Sequence, residues 1–200
     1  MAHSIELLLD DHSDDAIRTV WHRLDDAGLP SQLRVKSATN RPHITVLAAE
    51  RIAPGVDAEL MQLRPRFPLP VVVGAPLIFG GGKLTLARLV VASANLLELH
   101  REVYRRCLPH LPEEPFAHSA PGHWTPHVTL GRRFTTEKLA PALAVIDGLS
   151  AEALKAAQEL IGNFRPGRPA AAQPAQPAQQ AQPAAAPAQP TGSSGPQAQT

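Results

Sequence analysis

A single cysteine, Cys107, is present among 200 residues. It cannot close an intrachain disulfide, and one thiol is too few for a thiolate-rich zinc site. Charge of one dominant sign is lacking as well, since 19 Lys and Arg against 18 Asp and Glu leave a formal charge of +1. That balance excludes the broad positive field that long duplex nucleic acid or an anionic membrane requires, and leaves room for a short, locally bound phosphate ester. The opening MAHSIELLLDDH has no basic segment and reaches acid after a short apolar run, so neither a signal peptide nor a membrane span is expected. A soluble, cytoplasmic, monomeric protein is the expectation.

The C-terminal stretch lacks even more. Residues 169–200 hold no charged or aromatic residue, and 7 Pro, 11 Ala and 8 Gln make up 26 of the 32 positions. Proline and glutamine at irregular spacing among alanines offer no apolar face to offset the entropy of ordering. The chain is therefore divided into a folded domain over residues 1–165 and a disordered Pro/Ala/Gln-rich tail over 166–200.

What is present is a repeat. At an offset of 84 residues, Pro42-His43-Ile44-Thr45-Val46 lies on Pro126-His127-Val128-Thr129-Leu130. The same offset lays the strand-like IELLLD from Ile5 on LVVASA from Leu89. Two amphipathic helices also align, one with Ile17, Val20, Trp21 and Leu24 on its apolar face, the other with Val103, Tyr104, Cys107, Leu108 and Leu111. Helical stretches follow each pentapeptide, DAELMQL from Asp57 and TTEKLAPALAVI, with Thr135 or Thr136 placed to cap the latter. Between the halves, PLPVVVGAPLIF and KLTLARLVVAS flank Gly80-Gly81-Gly82 and read as a hairpin, the glycines forming a plain turn rather than a phosphate nest. The fold class is α+β, with two similar lobes over about 1–80 and 84–165. Each lobe is expected to have a small, mainly antiparallel sheet and outer helices, with a ligand cleft between the lobes.

Side chains alternate along a strand, so His43 and Thr45 share one face while Ile44 and Val46 share the other. His127 and Thr129 do the same. Two imidazoles and two hydroxyls around one volume suit a phosphate: hydroxyls donate to its oxygens, a neutral imidazole takes a proton from the nucleophile, and an imidazolium protonates the leaving oxygen. In a chain of this composition Pro-His-apolar-Thr-apolar should arise by chance only roughly 0.01 times, so two copies in equivalent places carry weight against two ordinary buried histidines.

The two motifs, Arg41 to Val46 and Trp124 to Arg132, resemble the signatures of the two-histidine (2H) phosphoesterases, which include 2′-5′ RNA ligases and RNA 2′,3′-cyclic phosphodiesterases. The resemblance covers about residues 3–148. It implies a bilobal pseudo-twofold fold in which His43 and His127 carry acid and base catalysis, Thr45 and Thr129 bind phosphate, and no metal or other cofactor is needed. The implied partners are a short RNA end or a cyclic-phosphate nucleotide, opened by a phosphodiesterase for which 2′-5′ RNA ligation stays open as a second activity; a noncatalytic module binding the same ligands is the alternative. Family members usually finish the second lobe with further strands. Here Ser150 to Ile161 reads instead as a helix capped by Ser150 and stopped by Gly162, which leaves that lobe a strand or two short and an edge beside the His127 strand that is open unless this helix covers it.

Other residues are weighed individually. Arg132 is a phosphate or sugar contact, or a solvated surface residue; Arg133 favours the surface. Trp124 and Phe79 are candidates for stacking on a base, with core packing as the rival. His118, His123 and His127 invite a metal reading, but no acidic residue lies nearer than Glu114 and Pro126 forbids a helical pair, so none is expected. His3, His12, His22, His100 and His110 read as surface or helix-flank residues, and Cys107 as a buried packing thiol.

Overall fold

The computed structural model describes residues 2–147 and, for the backbone alone, 157–163. The elements in chain order are β1 (His3–Leu9), α1 (Asp11–Asp26), β2 (His43–Ala49), α2 (Val56–Met61), β3 (Val73–Phe79), β4 (Leu84–Val90), α3 (Ala94–Cys107), β5 (His127–Phe134), α4 (Thr136–Asp147) and β6 (Ala157–Asn163). The two long helices start where a side chain satisfies a free N–H: Asp10 accepts from Ser13 N before α1, and Ser93 accepts from Leu96 N before α3. No helix among the described residues is long and apolar enough to cross a membrane.

The strands form one six-stranded sheet in the order β3-β4-β5-β2-β1-β6, every neighbouring pair antiparallel. Two separate small sheets were expected; the observed sheet is continuous, joined at its centre through the pair Ile44↔Val128. The Gly80–Gly82 turn folds β3 onto β4 with Phe79 opposite Thr85, and Gly80 takes a φ of +116° that favours glycine. Through that tight hairpin β3, which precedes the glycines, joins the half of the sheet that holds β4 and β5, while β6 returns to pair with β1.

The expected helix over Ser150 to Ile161 is overturned where it can be compared. Residues Ala157–Asn163 form a strand, with Gly162 opposite Ile5 and Leu160 opposite Leu7, and 150–156 lie outside the described residues. The edge expected beside the His127 strand, open or covered by that helix, does not exist, because β5 sits between β4 and β2. Helix-forming Ala, Gln, Glu and Leu are overridden here by the unpaired backbone edge of β1, whose N–H and C=O groups β6 satisfies. The tail from 166 lies outside the described residues.

One contiguous core lies behind the sheet. Ile5, Leu7 and Leu9 of β1, Ile44 of β2, Leu86 and Val90 of β4 and Val128 of β5 meet Ile17, Val20, Trp21 and Leu24 of α1 and Leu96, Leu99, Val103 and Cys107 of α3. Each large aliphatic side chain so buried contributes about 1.5–3 kcal/mol against exposure. Burial pushes the Cys107 thiol up to about 12, so it stays a packing thiol. Leu108, expected on the same apolar face, is exposed because α3 ends at Cys107 and the chain turns. The packing crosses the centre: α1 contacts β5, and α3 contacts β2. Gly131 of β5 lies so close to the loop after α1 that a Cβ would come within 2.4 Å of the Pro30 carbonyl oxygen, so a side chain there would push the loop off the sheet.

Candidate active site

The two pentapeptides open β2 and β5, the central neighbours of the sheet. Ile44 and Val128, fully buried, face each other and fix the register of these strands. Continuing that register by one residue sets His43 beside Thr129 and Thr45 beside His127, all four on the face away from the core. The expected arrangement of two lobes facing across a cleft is thus, at its floor, two adjacent strands of one sheet. His43, Thr45 and His127 are half-buried and Thr129 is buried.

Both imidazoles are held alike. His43 Nδ1 lies 2.7 Å from the Arg41 carbonyl oxygen, and His127 Nδ1 lies 2.7 Å from the Thr125 carbonyl oxygen. A carbonyl only accepts, so Nδ1 carries the proton in each ring and Nε2 is left to exchange one with a ligand. The Arg41 guanidinium is itself set 3.6 Å from the buried carboxylate of Asp14, which also pairs with Arg18.

Two indoles then grip the motif strands from opposite halves of the chain. Trp21 of α1 donates Nε1–H to the Thr129 carbonyl oxygen at 3.0 Å, and Trp124 donates to the Thr45 carbonyl oxygen at 2.8 Å. Trp124 stacks flat on His100, ring centroids 4.1 Å apart, and packs against the core. His100, expected at the surface, is 2% exposed; its Nε2–H donates to the Ser119 carbonyl oxygen. Burial holds it below the ordinary imidazole value, with backbone hydrogen bonds at Ser119 and Val46 opposing. His3, also expected at the surface or a helix flank, sits half-buried in β1 and accepts from Ile52 N. His12 and His22 are exposed on α1, and His110 is half-buried beside Gly55.

Simple alternation would turn Arg132 away from His127 and Thr129, three residues on from the latter. The strand avoids this with a bulge: Ala87 pairs with Thr129 and Leu86 with Gly131, so Leu130 is an extra residue and Arg132 returns to the site face opposite Thr85. A second irregularity leaves Arg133 unpaired at φ 66°, exposed to solvent. The result is an electrostatic contact between Arg132 and His127. Burial holds His127 below the ordinary imidazole value, and the charges of Arg132, His43 and His118 push the same way, against the hydrogen bond to Thr125. Arg132 is exposed over its length, and desolvation of its guanidinium on the site face lowers it, with Glu6 opposing. Phe79, at the end of β3, meets the His127 ring edge-on with centroids 4.9 Å apart.

Glu6 was missed in the sequence. It lies on β1 directly opposite Thr45, is buried, accepts from Ser4 Oγ at 2.7 Å, and places Oε1 3.7 Å from His43 Nε2. A lone acid inside the apolar run IELLL, with its neighbours' side chains on the core face, was the available signal. His118 stacks on Phe116, and among the described residues no group of three or more His, Cys, Asp or Glu is arranged to hold a metal ion.

Known proteins now bear on the chain. No curated protein sequence matches it. Among solved structures, Usb1 of Kluyveromyces marxianus with uridine monophosphate is similar at 15% identity, covering 82% of this chain and 97% of that one, with a TM-score of 0.42. The family model described as the 2′-5′ RNA ligase superfamily matches residues 9–160, a span that holds both histidine motifs. With that match over most of its length, the chain belongs to the 2′-5′ RNA ligase superfamily, the two-histidine phosphoesterases its paired motifs resemble.

Proposed function

We propose that the protein is a metal-independent phosphodiesterase that opens 2′,3′-cyclic phosphates on short RNA ends or nucleotides, at a site shared between two pseudo-twofold lobes centred on β2 and β5. The observation that carries the reading is the matched pair of imidazoles, each locked by its Nδ1–H on a carbonyl two residues earlier and each left with Nε2 for the substrate. Thr45 and Thr129 donate to the phosphoryl oxygens, and Arg132 neutralises charge that builds on them.

The surroundings of the two rings divide the labour. His127, held below the ordinary imidazole value, is neutral at physiological pH and serves as the base. Its Nε2 takes a proton from water as the water oxygen attacks phosphorus. The bond from phosphorus to one ribose oxygen breaks, and His43 Nε2–H gives that oxygen its proton. The products are a phosphomonoester and a free ribose hydroxyl, and proton exchange with water restores both rings. Phe79 beside His127 is placed to stack on the base of the nucleotide.

Purified protein given a 2′,3′-cyclic nucleotide in the presence of a strong chelator should yield one phosphomonoester, read by phosphorus NMR. Tight binding without turnover would select the noncatalytic binding module. Turnover that chelation abolishes and zinc or manganese restores would replace the two-histidine mechanism with a metal-assisted one.

A further inference from the structure

A buried carboxylate at a phosphate site needs a reason, because it repels the ligand it sits beside. Glu6 is on the site face of β1 opposite Thr45, with Oε1 3.7 Å from His43 Nε2. Any phosphoryl oxygen hydrogen-bonded to that Nε2 would lie within about 7 Å of the carboxylate. The other half of the site holds no counterpart, since the residue opposite Thr129 is Ala87. Ser4 Oγ donates to Oε1 and fixes the carboxylate in place.

We propose that Glu6 sets the charge preference of the site, admitting a singly charged phosphodiester and disfavouring the doubly charged phosphomonoester. The inference rests on the phosphodiesterase reading above. Glu6 and Arg132 carry opposite charges and feel one another. With those two offset, the imidazolium that the acid step requires leaves one net positive charge, matched to a diester monoanion. Opening the cyclic ester adds water across a P–O bond and converts one negative charge into nearly two, because the second ionisation of a phosphomonoester falls near pH 6. The product then meets Glu6 with twice the charge of the substrate. Repulsion favours its departure and limits product inhibition. Position, charge and product chemistry thus give the carboxylate a task that neither motif performs.

The test compares two stable ligands that differ by one charge, a 2′-deoxynucleoside 3′-monophosphate and its methyl phosphodiester, by calorimetry at pH 8 with the full-length chain. Wild type should bind the diester at least as tightly as the monophosphate. Removing the Glu6 charge should help the dianion as the square of the factor by which it helps the monoanion. Glu6→Gln should therefore shift the ratio of the two affinities about tenfold toward the monophosphate, and the phosphomonoester product should inhibit turnover at correspondingly lower concentration. Glu6→Asp, which keeps the charge, should leave the preference for the diester in place, and it separates charge from packing should the Gln variant fail to fold. A wild type that prefers the monophosphate, or a folded Glu6→Gln protein in which both affinities change equally or not at all, overturns the role of Glu6 while leaving the phosphodiesterase reading intact. A wild type that binds neither ligand and turns over no cyclic phosphate overturns that reading and this inference with it.

Discussion

The same five-residue pattern occurs twice, and the two copies sit in different company. Around His43 stand Glu6, Ser4 and the Asp14–Arg41 pair; around His127 stand Arg132 and the Phe79 ring. The backbone devices are shared: an Nδ1–H bond to the carbonyl two residues earlier, and an indole on the threonine carbonyl. What differs is the sign of the nearest fixed charge, negative beside His43 and positive beside His127. Repetition therefore supplies two interchangeable groups, and the neighbouring strands make them unlike. Acid–base catalysis needs that unlikeness, because one ring must give a proton while the other takes one.

Removing either ring should break the comparison most severely. His43→Ala and His127→Ala should each lower kcat/KM about 10² to 10⁴-fold, and the double variant should lose less than the product of the two, since the groups act in one step. Steady-state turnover of a 2′,3′-cyclic nucleotide with circular dichroism as a folding control reads this out. Near-normal turnover by a folded single variant would dismiss the division of labour.

Next in size are the hydroxyls. Thr45→Val and Thr129→Val each remove one donor to the phosphate and should cost about 1–3 kcal/mol in transition-state stabilisation, measured as kcat/KM.

Arg132 sharpens the comparison through pH. The acid limb of the kcat/KM profile reports the base losing its proton, and it should fall below the ordinary imidazole value because His127 is lowered. Arg132→Gln removes a positive charge that contributes to the lowering, so the limb should move upward, by up to about one pH unit, alongside reduced turnover. An unmoved limb would show that Arg132 does not act on the base.

The indoles act on stability, with the least effect on turnover. Trp21→Phe and Trp124→Phe keep a ring and lose the N–H on a threonine carbonyl, at a cost of about 1–3 kcal/mol for the buried Trp21 and about 1 kcal/mol for Trp124 in urea unfolding. Equal losses would mean that the two clasps share one role in spite of their different burial.

How much of this was legible varies with the physical origin of each feature. The motif strands could be read because period-two alternation is written into Pro-His-Ile-Thr-Val itself. Helix α1 could be read from the spacing of Ile17, Val20, Trp21 and Leu24. Strand β6 could not, since AQELIGN has helix-forming residues and becomes a strand only where β1 offers an unpaired edge. Arg132 was named as a candidate, but its return to the site face depends on the extra residue Leu130, and a bulge has no composition. Glu6 is 37 residues from the nearer histidine along the chain, and the register of β1 on β2 alone brings it to Thr45. His100 looked like a polar flank of an amphipathic helix; its burial comes from the flat stack on Trp124, a contact between segments that sequence spacing does not encode.

The most direct test of the division of labour changes the leaving group rather than the protein. An aryl phosphodiester with a nitrophenolate leaving group departs without a proton, so it needs a base and no acid. Activity of wild type, His43→Ala and His127→Ala should be compared on this ester and on a 2′,3′-cyclic nucleotide. The account predicts that the aryl ester restores His43→Ala to within about tenfold of wild type and leaves His127→Ala as impaired as before. Restoration of His127→Ala instead, or of both variants equally, would contradict it.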